Sequence, residues 1–232
     1  MTRTEPFEHH PDRYDQWFDR HSAVFAAEVR ALRALLPRAD RGLEVGVGTG
    51  RFAQALGVRE GVDPAPEMRR RARQRGVRVR DGTAEALPYD DEQFDVALLV
   101  TTICFVDDVE KSLAEIHRVL VPGGALLVGM VDRESPLGKE YEDKKEGHSF
   151  YHVAHFHTAT EVVRRMRAVG FDDFAFRQTL FHPLDDVEEE EPVKAGHGEG
   201  AFIAIRGDKR KVGARGGAGE ARRAHAEGRD SG

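Results

Sequence analysis

The stretch "LEVGVGTGRFA", residues 43–53, decides the fold, because it sets three glycines directly behind a short apolar run. Gly46, Gly48 and Gly50 alternate with larger residues, and Arg51 follows at the start of a helix-forming segment. Glycine lets the main chain turn sharply and approach a ligand closely. The stretch therefore predicts a buried strand, a ligand-binding turn and a helix in succession.

Three apolar runs predict buried strands: "GLEVGV" at 42–47, "FDVALLV" at 94–100 and "GALLVGMV" at 124–131. None shows the strict alternation of a sheet with one wet face, so both faces should be covered. Helical patterns separate the runs; one of them places apolar residues on a single stripe and stops before Pro122. Strands alternating with helices predict an α/β fold with a doubly wound, mostly parallel sheet.

The end of the chain departs from that alternation. A helix with a capping box, Thr158 and Glu161, precedes two strands, "FDDFAFRQTLF" at 171–181 and "GAFIAIR" at 200–206. No helical pattern lies between these strands, so we expect a hairpin and an antiparallel last strand. From Gly207 the chain carries almost no large apolar residue, so 207–232 is predicted to be a disordered tail.

The amino-acid composition limits the classes of protein to which this chain can belong. The 232 residues, 40% of them hydrophobic, suit one α/β domain with some unpacked chain. The net charge of −6 does not favour a nucleic-acid partner, and the single Cys104 is incompatible with a disulfide or a thiolate metal site. No apolar run approaches a membrane span and no secretory pattern is visible, so we expect a cytoplasmic protein with a small ligand, no metal and no membrane partner.

Two ligands compete for the glycine turn: the phosphates of a dinucleotide and the methionine end of S-adenosylmethionine. A dinucleotide fingerprint needs glycine or alanine at position 51, where Arg51 stands. Glu44 precedes the turn and would repel a pyrophosphate but attract an ammonium and a sulfonium. Asp63, at the end of the next strand, could accept hydrogen bonds from ribose hydroxyls of either ligand. The spacing and charge favour S-adenosylmethionine.

Four blocks in order carry a family resemblance: "LEVGVGTGRFA", "GVDPAPEM", "DGTAEALPYDDEQFDVALLV" and "EIHRVLVPGGALLVGMV". From about Tyr14 to Arg206 the chain resembles class I S-adenosylmethionine-dependent methyltransferases. It is most similar to the type 11 branch that includes quinone-biosynthesis C-methyltransferases. The resemblance implies a Rossmann-like, seven-stranded sheet with a reversed last strand. The domain would span 41–206, behind an amino-terminal helical cap at 1–40.

The resemblance also implies residue roles. Thr83 stands where many relatives have Asp or Asn, which weakens the expected adenine contact. Thr101 would lie beneath the transferable methyl group with Thr102 near it, and Tyr14 would belong to an aromatic flap. Trp17 and Phe18 fit that flap or simple packing on the sheet equally well. The implied cofactor-binding residues are Tyr14, Glu44, Gly46, Gly48, Gly50, Asp63, Pro64, Met68, Thr83, Ala84, Glu85 and Thr101.

The expected activity is in-line methyl transfer from S-adenosylmethionine to a small-molecule acceptor through O, N, S or C. A non-catalytic S-adenosylmethionine-binding module and a nicotinamide-dependent oxidoreductase remain as alternatives. The segment 135–157 is predicted to be a lid insertion over the acceptor. If it is helical, His148, His152 and His155 share one face and His157 follows. His152 and His155 are therefore the candidate general bases, with Tyr151 as a further catalytic candidate.

Overall fold

The computed structural model describes residues 5–147, 150–187 and 191–211. The helices are α1 (Glu5–His9), α2 (Pro11–Arg20), α3 (Ser22–Arg33), α4 (Arg51–Leu56), α5 (Pro66–Gln74), α6 (Val109–Val119), α7 (Pro136–Lys144) and α8 (Ala159–Ala168). The strands are β1 (Gly42–Val45), β2 (Glu60–Val62), β3 (Arg78–Arg80), β4 (Phe94–Val100), β5 (Leu120–Val131), β6 (Phe171–Thr179), β7 (Lys194–Ala195) and β8 (Phe202–Lys209).

The strands form one sheet in the order β3-β2-β1-β4-β5-β8-β6-β7. β1 to β5 pair in parallel, whereas β8 lies between β5 and β6 and runs antiparallel to both. The predicted hairpin and reversed last strand are therefore confirmed. The two-residue strand β7 adds an eighth strand to the seven that were expected, because a short edge segment pairs with β6.

Helices cover both faces of the sheet, as a doubly wound fold requires. Along β4, Ala97 and Leu99 pack into one apolar cluster, while Val96 and Leu98 pack into the other. The first cluster includes α6 and α8, and the second includes α3 and α4. Because neighbouring side chains of a strand point to opposite faces, the continuous apolar run of β4 is buried on both sides.

The cap, which we define as helices α1 to α3, precedes the first strand. α3 packs its apolar face on the sheet, with Val24, Ala27 and Leu32 all at most 1% exposed. α1 and α2 lie over the carboxyl ends of the parallel strands. Among the described residues, no helix is long and apolar enough to cross a membrane.

The lid segment, residues 135–157, is not one helix. α7 ends at Lys144, a short 3₁₀ turn covers Tyr151–Val153, and the chain then extends to Thr158. The expectation that three histidines share a helical face is therefore wrong for His152 and His155, and His148 lies outside the described residues. The capping box that begins α8 is confirmed, since the Thr158 hydroxyl and the Glu161 carboxylate each accept the other's backbone N–H.

The carboxyl end of the domain lies further along the chain than the sequence suggested. β8 continues to Lys209, and Asp208 pairs with Ala125 of β5. The Lys209 ammonium donates to the carbonyls of His117 and Leu120, at 2.8 and 2.7 Å. The tail boundary at residue 207 is thus wrong, because backbone pairing holds a polar segment in the sheet without apolar side chains. Residues 212–232 lie outside the described part.

Candidate active site

A cavity of about 420 Å³ opens where β1, β2, β4 and β5 end. Its walls come from the loops after those strands, from the cap and from the lid segment. Ligands of open α/β sheets bind outside the carboxyl ends of the strands, and pockets of this size hold small molecules. The position and size therefore identify the candidate site.

The glycine turn forms one wall through Gly46 and Gly48, whose φ values are 68° and 51°. A Cβ at Gly46 would lie 2.3 Å from Cγ2 of Thr102, so only glycine fits there. The Thr102 hydroxyl donates to the Gly46 carbonyl at 3.2 Å and fixes the turn against the end of β4. Gly50 does not line the cavity; it lets α4 approach Ala72 of α5. Its role is packing and not cofactor contact.

Asp63 lines the cavity at the end of β2 and is only 7% exposed. Its two carboxylate oxygens accept the backbone N–H groups of Gly48 and Ala65, at 2.8 and 2.9 Å. Burial raises the pKa of Asp63 to about 6, against the opposing effect of those hydrogen bonds. Each carboxylate oxygen keeps a free lone pair, so Asp63 can accept hydrogen bonds from a diol.

Glu44 lies within β1 and is buried behind the glycine turn, outside the cavity wall. Its Oε2 has no hydrogen-bond partner among the described residues. Burial raises the pKa of Glu44 well above its usual value, the backbone N–H of Ala53 partly offsets this, and the charge of Asp63 raises the pKa further. A buried acid of this kind favours a cation bound next to the turn.

The next part of the wall is apolar with a polar edge. Pro64 and Met68 line it from the β2–α5 connection, and Thr83, Ala84 and Glu85 line it from the loop after β3. The Glu85 carboxylate accepts the backbone N–H of Asp107 at 2.8 Å, which ties two cavity loops together. These five residues all belong to the cofactor-binding set that the resemblance implies, and the structure brings them together at one wall.

Thr101 and Thr102 follow β4 at the middle of the cavity. Thr101 has a φ of 49°, which is an uncommon conformation for a β-branched residue, and its N–H donates to the Gly129 carbonyl at 2.8 Å. Strained residues of this kind persist where neighbouring structure holds them, commonly at functional sites. The bend directs the chain after β4 across the cavity.

A charged cluster that the sequence did not reveal holds the cap on the glycine turn. Asp15 of α2 accepts hydrogen bonds from the Thr49 hydroxyl and from Arg51 Nε, both at 2.8 Å, and from Arg75 at 3.0 Å. Although burial opposes it, hydrogen bonding to Arg51, Thr49 and Arg75 keeps the pKa of Asp15 below its ordinary value. Arg51 stands where a dinucleotide fingerprint needs glycine or alanine, and in the structure its side chain binds Asp15 of the cap. Only the fold brings its partner within reach.

The aromatic residues of α2 both line the cavity and pack. Tyr14 lies against the turn, since its hydroxyl would be 3.4 Å from a Cβ at Gly48. Trp17 and Phe18 line the cavity too, but Phe18 is also buried against Phe52 of α4 with ring centroids 5.9 Å apart. Phe18 therefore packs on the fold, while both side chains also border the cavity, and the flap role stays a prediction.

The lid segment meets the cap across the cavity. Phe150 lies 5.3 Å from Phe7 of α1 and 6.1 Å from Tyr14, measured between ring centroids. Tyr141, Tyr151 and Phe156 continue this aromatic wall. Burial raises the pKa of Tyr151 well above 10, with further contributions from Tyr141 and Cys104, so its hydroxyl stays protonated at neutral pH.

The structure corrects the candidate bases. His152 and His155 are exposed, and neither lines the cavity, because the segment turns and extends instead of continuing as a helix. His157 lines the cavity instead. Burial, and then the charge of Arg165, lowers the pKa of His157 below its ordinary value. Apolar and polar residues alternate along this extended stretch, and that alternation was the sequence signal for His157. The helical interpretation of the segment did not take it into account.

Glu28 is the main site residue that the sequence did not suggest. It lies in α3, is 4% exposed, and lines the cavity. Burial alone raises its pKa to about 8. A lone acid in the apolar stripe "AVFAAEVRAL" is the sequence signal that could have found it.

This sheet order, with a glycine turn after β1 and a buried acid after β2, defines the class of Rossmann-like nucleoside-cofactor enzymes. Comparison with known proteins identifies the class further. Residues 43–128 match the family described as a methyltransferase domain.

Three relatives are informative. A solved structure from Thermotoga maritima, a SAM-dependent methyltransferase described as a possible histamine N-methyltransferase, has a TM-score of 0.88 and 50% identity, covering 90% of this chain and all of that one. An uncharacterized protein of Methanocaldococcus jannaschii is 41% identical over 88% of this chain and 98% of its own. The ubiquinone biosynthesis O-methyltransferase of Azorhizobium caulinodans is 31% identical over 69% of each.

The chain belongs to the class I S-adenosylmethionine-dependent methyltransferases, in the type 11 branch. S-adenosylmethionine is the cofactor of this family. The residues present fit it, because the wall offers a buried diol acceptor and an apolar nucleoside surface. Behind the turn, Oε2 of Glu44 has no partner among the described residues.

Proposed function

We propose that the protein transfers the methyl group of S-adenosylmethionine, in line, to a small-molecule acceptor. The observation that carries the proposal is one cavity that runs from Asp63 and the glycine turn to the aromatic wall of the lid segment. A cofactor at the first end and an acceptor at the second would share one closed space. The relatives named as a ubiquinone biosynthesis O-methyltransferase and as a possible histamine N-methyltransferase support a small acceptor.

The chain's own residues would bind and orient the cofactor. Asp63 would accept the ribose hydroxyls, while Met68 and Thr83 would contact the adenine from its face and edge. Gly46 and Gly48 leave room for the methionine end, and Glu44, whose pKa burial raises, would ionise when the ammonium binds next to the turn and would balance its charge. When bound, S-adenosylmethionine supplies a methyl group already activated on a sulfonium. No covalent nucleophile from the protein is needed.

Positioning and exclusion of water would do most of the catalysis. The cap closes one side of the cavity through the Asp15 cluster, and Phe7 meets Phe150 of the lid segment above it. We propose that the lid segment opens to admit the acceptor by parting the ring contacts of Phe150 with Phe7 and Tyr14 of the cap. The Asp15 cluster would meanwhile hold the cap in place.

Calorimetry on the full chain tests the binding step. S-adenosylhomocysteine should bind with micromolar or better affinity, and NADH should not bind. Methyl transfer is then measured with radiolabelled S-adenosylmethionine over a panel of phenols, catechols, quinols, amines and thiols. Binding without transfer to any of them would favour a non-catalytic module. Binding of NADH in preference to S-adenosylhomocysteine would overturn the proposal.

A further inference from the structure

Glu28 is an acid in a position that the fold otherwise gives to apolar side chains. Its neighbours Ala27 and Val29 are buried, and Val24, one helical turn earlier on the same face of α3, also lines the cavity. The Glu28 carboxylate therefore faces the cavity and not the protein core. α3 carries no other acidic residue.

No described residue compensates this carboxylate. Glu28 makes no hydrogen bond within the described part of the chain, and burial is the sole cause of its raised pKa. Three tyrosine hydroxyls feel its charge, namely those of Tyr14, Tyr141 and Tyr151, and all three stay protonated because burial raises their pKa values. The basic groups on the wall, Arg13, Arg20 and His157, form no ion pair with it.

Tyr14 relates Glu28 to the cofactor end. Its hydroxyl lies against Gly48, and the charges of Glu44 and Asp63 act on it together with that of Glu28. Glu28 and the glycine turn thus both lie near Tyr14, and Glu28 also lies near Tyr141 and Tyr151 of the lid segment. A group held by Glu28 would occupy the part of the cavity that the cofactor leaves open.

A buried carboxylate is ionised only when a cation or strong donors meet it. The surrounding rings, including Trp17 and Phe105, also attract cations through their faces. A basic amine on an apolar or aromatic body satisfies both features, because the ammonium pairs with the carboxylate and the body packs on the rings. An acceptor with a neutral hydroxyl would leave the Glu28 carboxylate protonated, and no ion pair would form.

We propose that Glu28 recognises the acceptor, that the acceptor is a basic amine carried on an apolar or aromatic body, and that Glu28 accepts the proton this nitrogen loses. The proposal rests on the methyltransferase function given above. The bound ammonium first passes one N–H proton to the Glu28 carboxylate, which frees the lone pair of the nitrogen. This lone pair then forms the new N–C bond as the methyl C–S bond breaks, and the C–S electron pair stays on sulfur. The methylated product leaves as an ammonium, and Glu28 releases its proton to solvent.

Matched pairs of probes test recognition in the full chain with saturating S-adenosylhomocysteine. The amines are 2-phenylethylamine, tryptamine and histamine, and each is compared by calorimetry with the alcohol that replaces its amino group. We expect at least one amine to bind ten times more tightly than its alcohol. If every alcohol binds as tightly as its amine, the proposal is wrong. This comparison needs only the wild-type protein.

Variants then assign the preference to Glu28. Glu28→Gln should reduce the preference for the amine to twofold or less while S-adenosylhomocysteine affinity stays unchanged. Glu140→Gln, on the exposed side of α7, is the matched control and should behave as wild type. A full amine preference in Glu28→Gln would overturn the assignment.

Turnover separates proton transfer from binding. For the preferred amine, kcat should fall by about 10²-fold or more in Glu28→Gln, and the limb of kcat/KM near pH 8 should disappear. If His157→Asn removes that limb and Glu28→Gln does not, the base is His157. If S-adenosylhomocysteine binds but no acceptor is methylated, the proposed function fails, whereas the amine-binding comparison still decides the role of Glu28.

Discussion

The two ends of the cavity are built in different ways. The cofactor end uses short-range features: a glycine turn, and Asp63 held by two backbone N–H groups. The acceptor end is built from side chains of α3, the lid segment and the loop after β4, which are far apart in sequence. The cofactor end therefore depends mainly on local sequence, and the proposed acceptor end depends on long-range packing.

The largest expected effect is on stability at the acceptor end. Burial raises the Glu28 pKa from 4.5 to about 8, so folding favours its protonated form and stability falls as pH rises through that window. Glu28→Gln does not titrate, so its advantage over wild type should grow between pH 5 and 9, to on the order of 4 kcal/mol. Urea unfolding at pH 5, 7 and 9 measures it. A difference that is constant with pH would show that Glu28 is not buried.

At the cofactor end, Gly46→Ala should be the most damaging change. The added Cβ would lie 2.3 Å from Thr102 Cγ2 at a φ of 68°, so about 3 kcal/mol of unfolding free energy should be lost. Gly57→Ala is the matched control, because Gly57 has a φ of 77° with open space around it. Equal losses in both variants would mean that backbone conformation matters and the contact with Thr102 does not.

Removing the diol acceptor tests the cofactor end directly. Asp63→Ala should weaken S-adenosylhomocysteine binding by about 1.5–3 kcal/mol, the range for hydrogen bonds to a charged group. Asp81→Ala, at an exposed carboxylate nearby, should leave the affinity unchanged. Calorimetry compares the two. Unchanged affinity in Asp63→Ala would remove this residue from the site.

The cap should contribute a smaller amount. Arg51→Ala removes the hydrogen bond from Nε to Asp15 and should cost about 1–2 kcal/mol of unfolding free energy. Arg70→Ala, which breaks only an exposed pair with Glu67, should cost less than about 0.5 kcal/mol. If the two variants unfold alike in urea, the Asp15 cluster does not hold the cap.

The smallest effect is expected at the exposed histidines. His152→Ala and His155→Ala should each keep turnover and S-adenosylhomocysteine affinity within about twofold of wild type, since neither side chain lines the cavity. The measurement is turnover against pH with a methylated acceptor. Loss of turnover in either variant, with S-adenosylhomocysteine affinity kept, would restore that histidine as a base.

The sequence by itself determined the features that depend on neighbouring residues. Gly46 and Gly48 identify a turn because no other residue tolerates those φ values easily, and Thr158 with Glu161 identifies a helix start. The apolar runs fixed the buried strands, and Arg51 excluded the dinucleotide spacing. From these the fold, the family and most of the cofactor wall could be predicted.

Only the tertiary structure decided which distant segments meet. Glu28 became a cavity residue because α3 packs across the strand ends, and Arg51 gained its role because α2 brings Asp15 to it. His152 and His155 lie outside the cavity because the lid segment contains a 3₁₀ turn and does not form one helix. Lys209 stayed in the sheet through backbone pairing that no side-chain pattern reports. Long-range packing sets the environment of each of these groups, so a local pattern can at most single out the residue and cannot say which distant residues it meets.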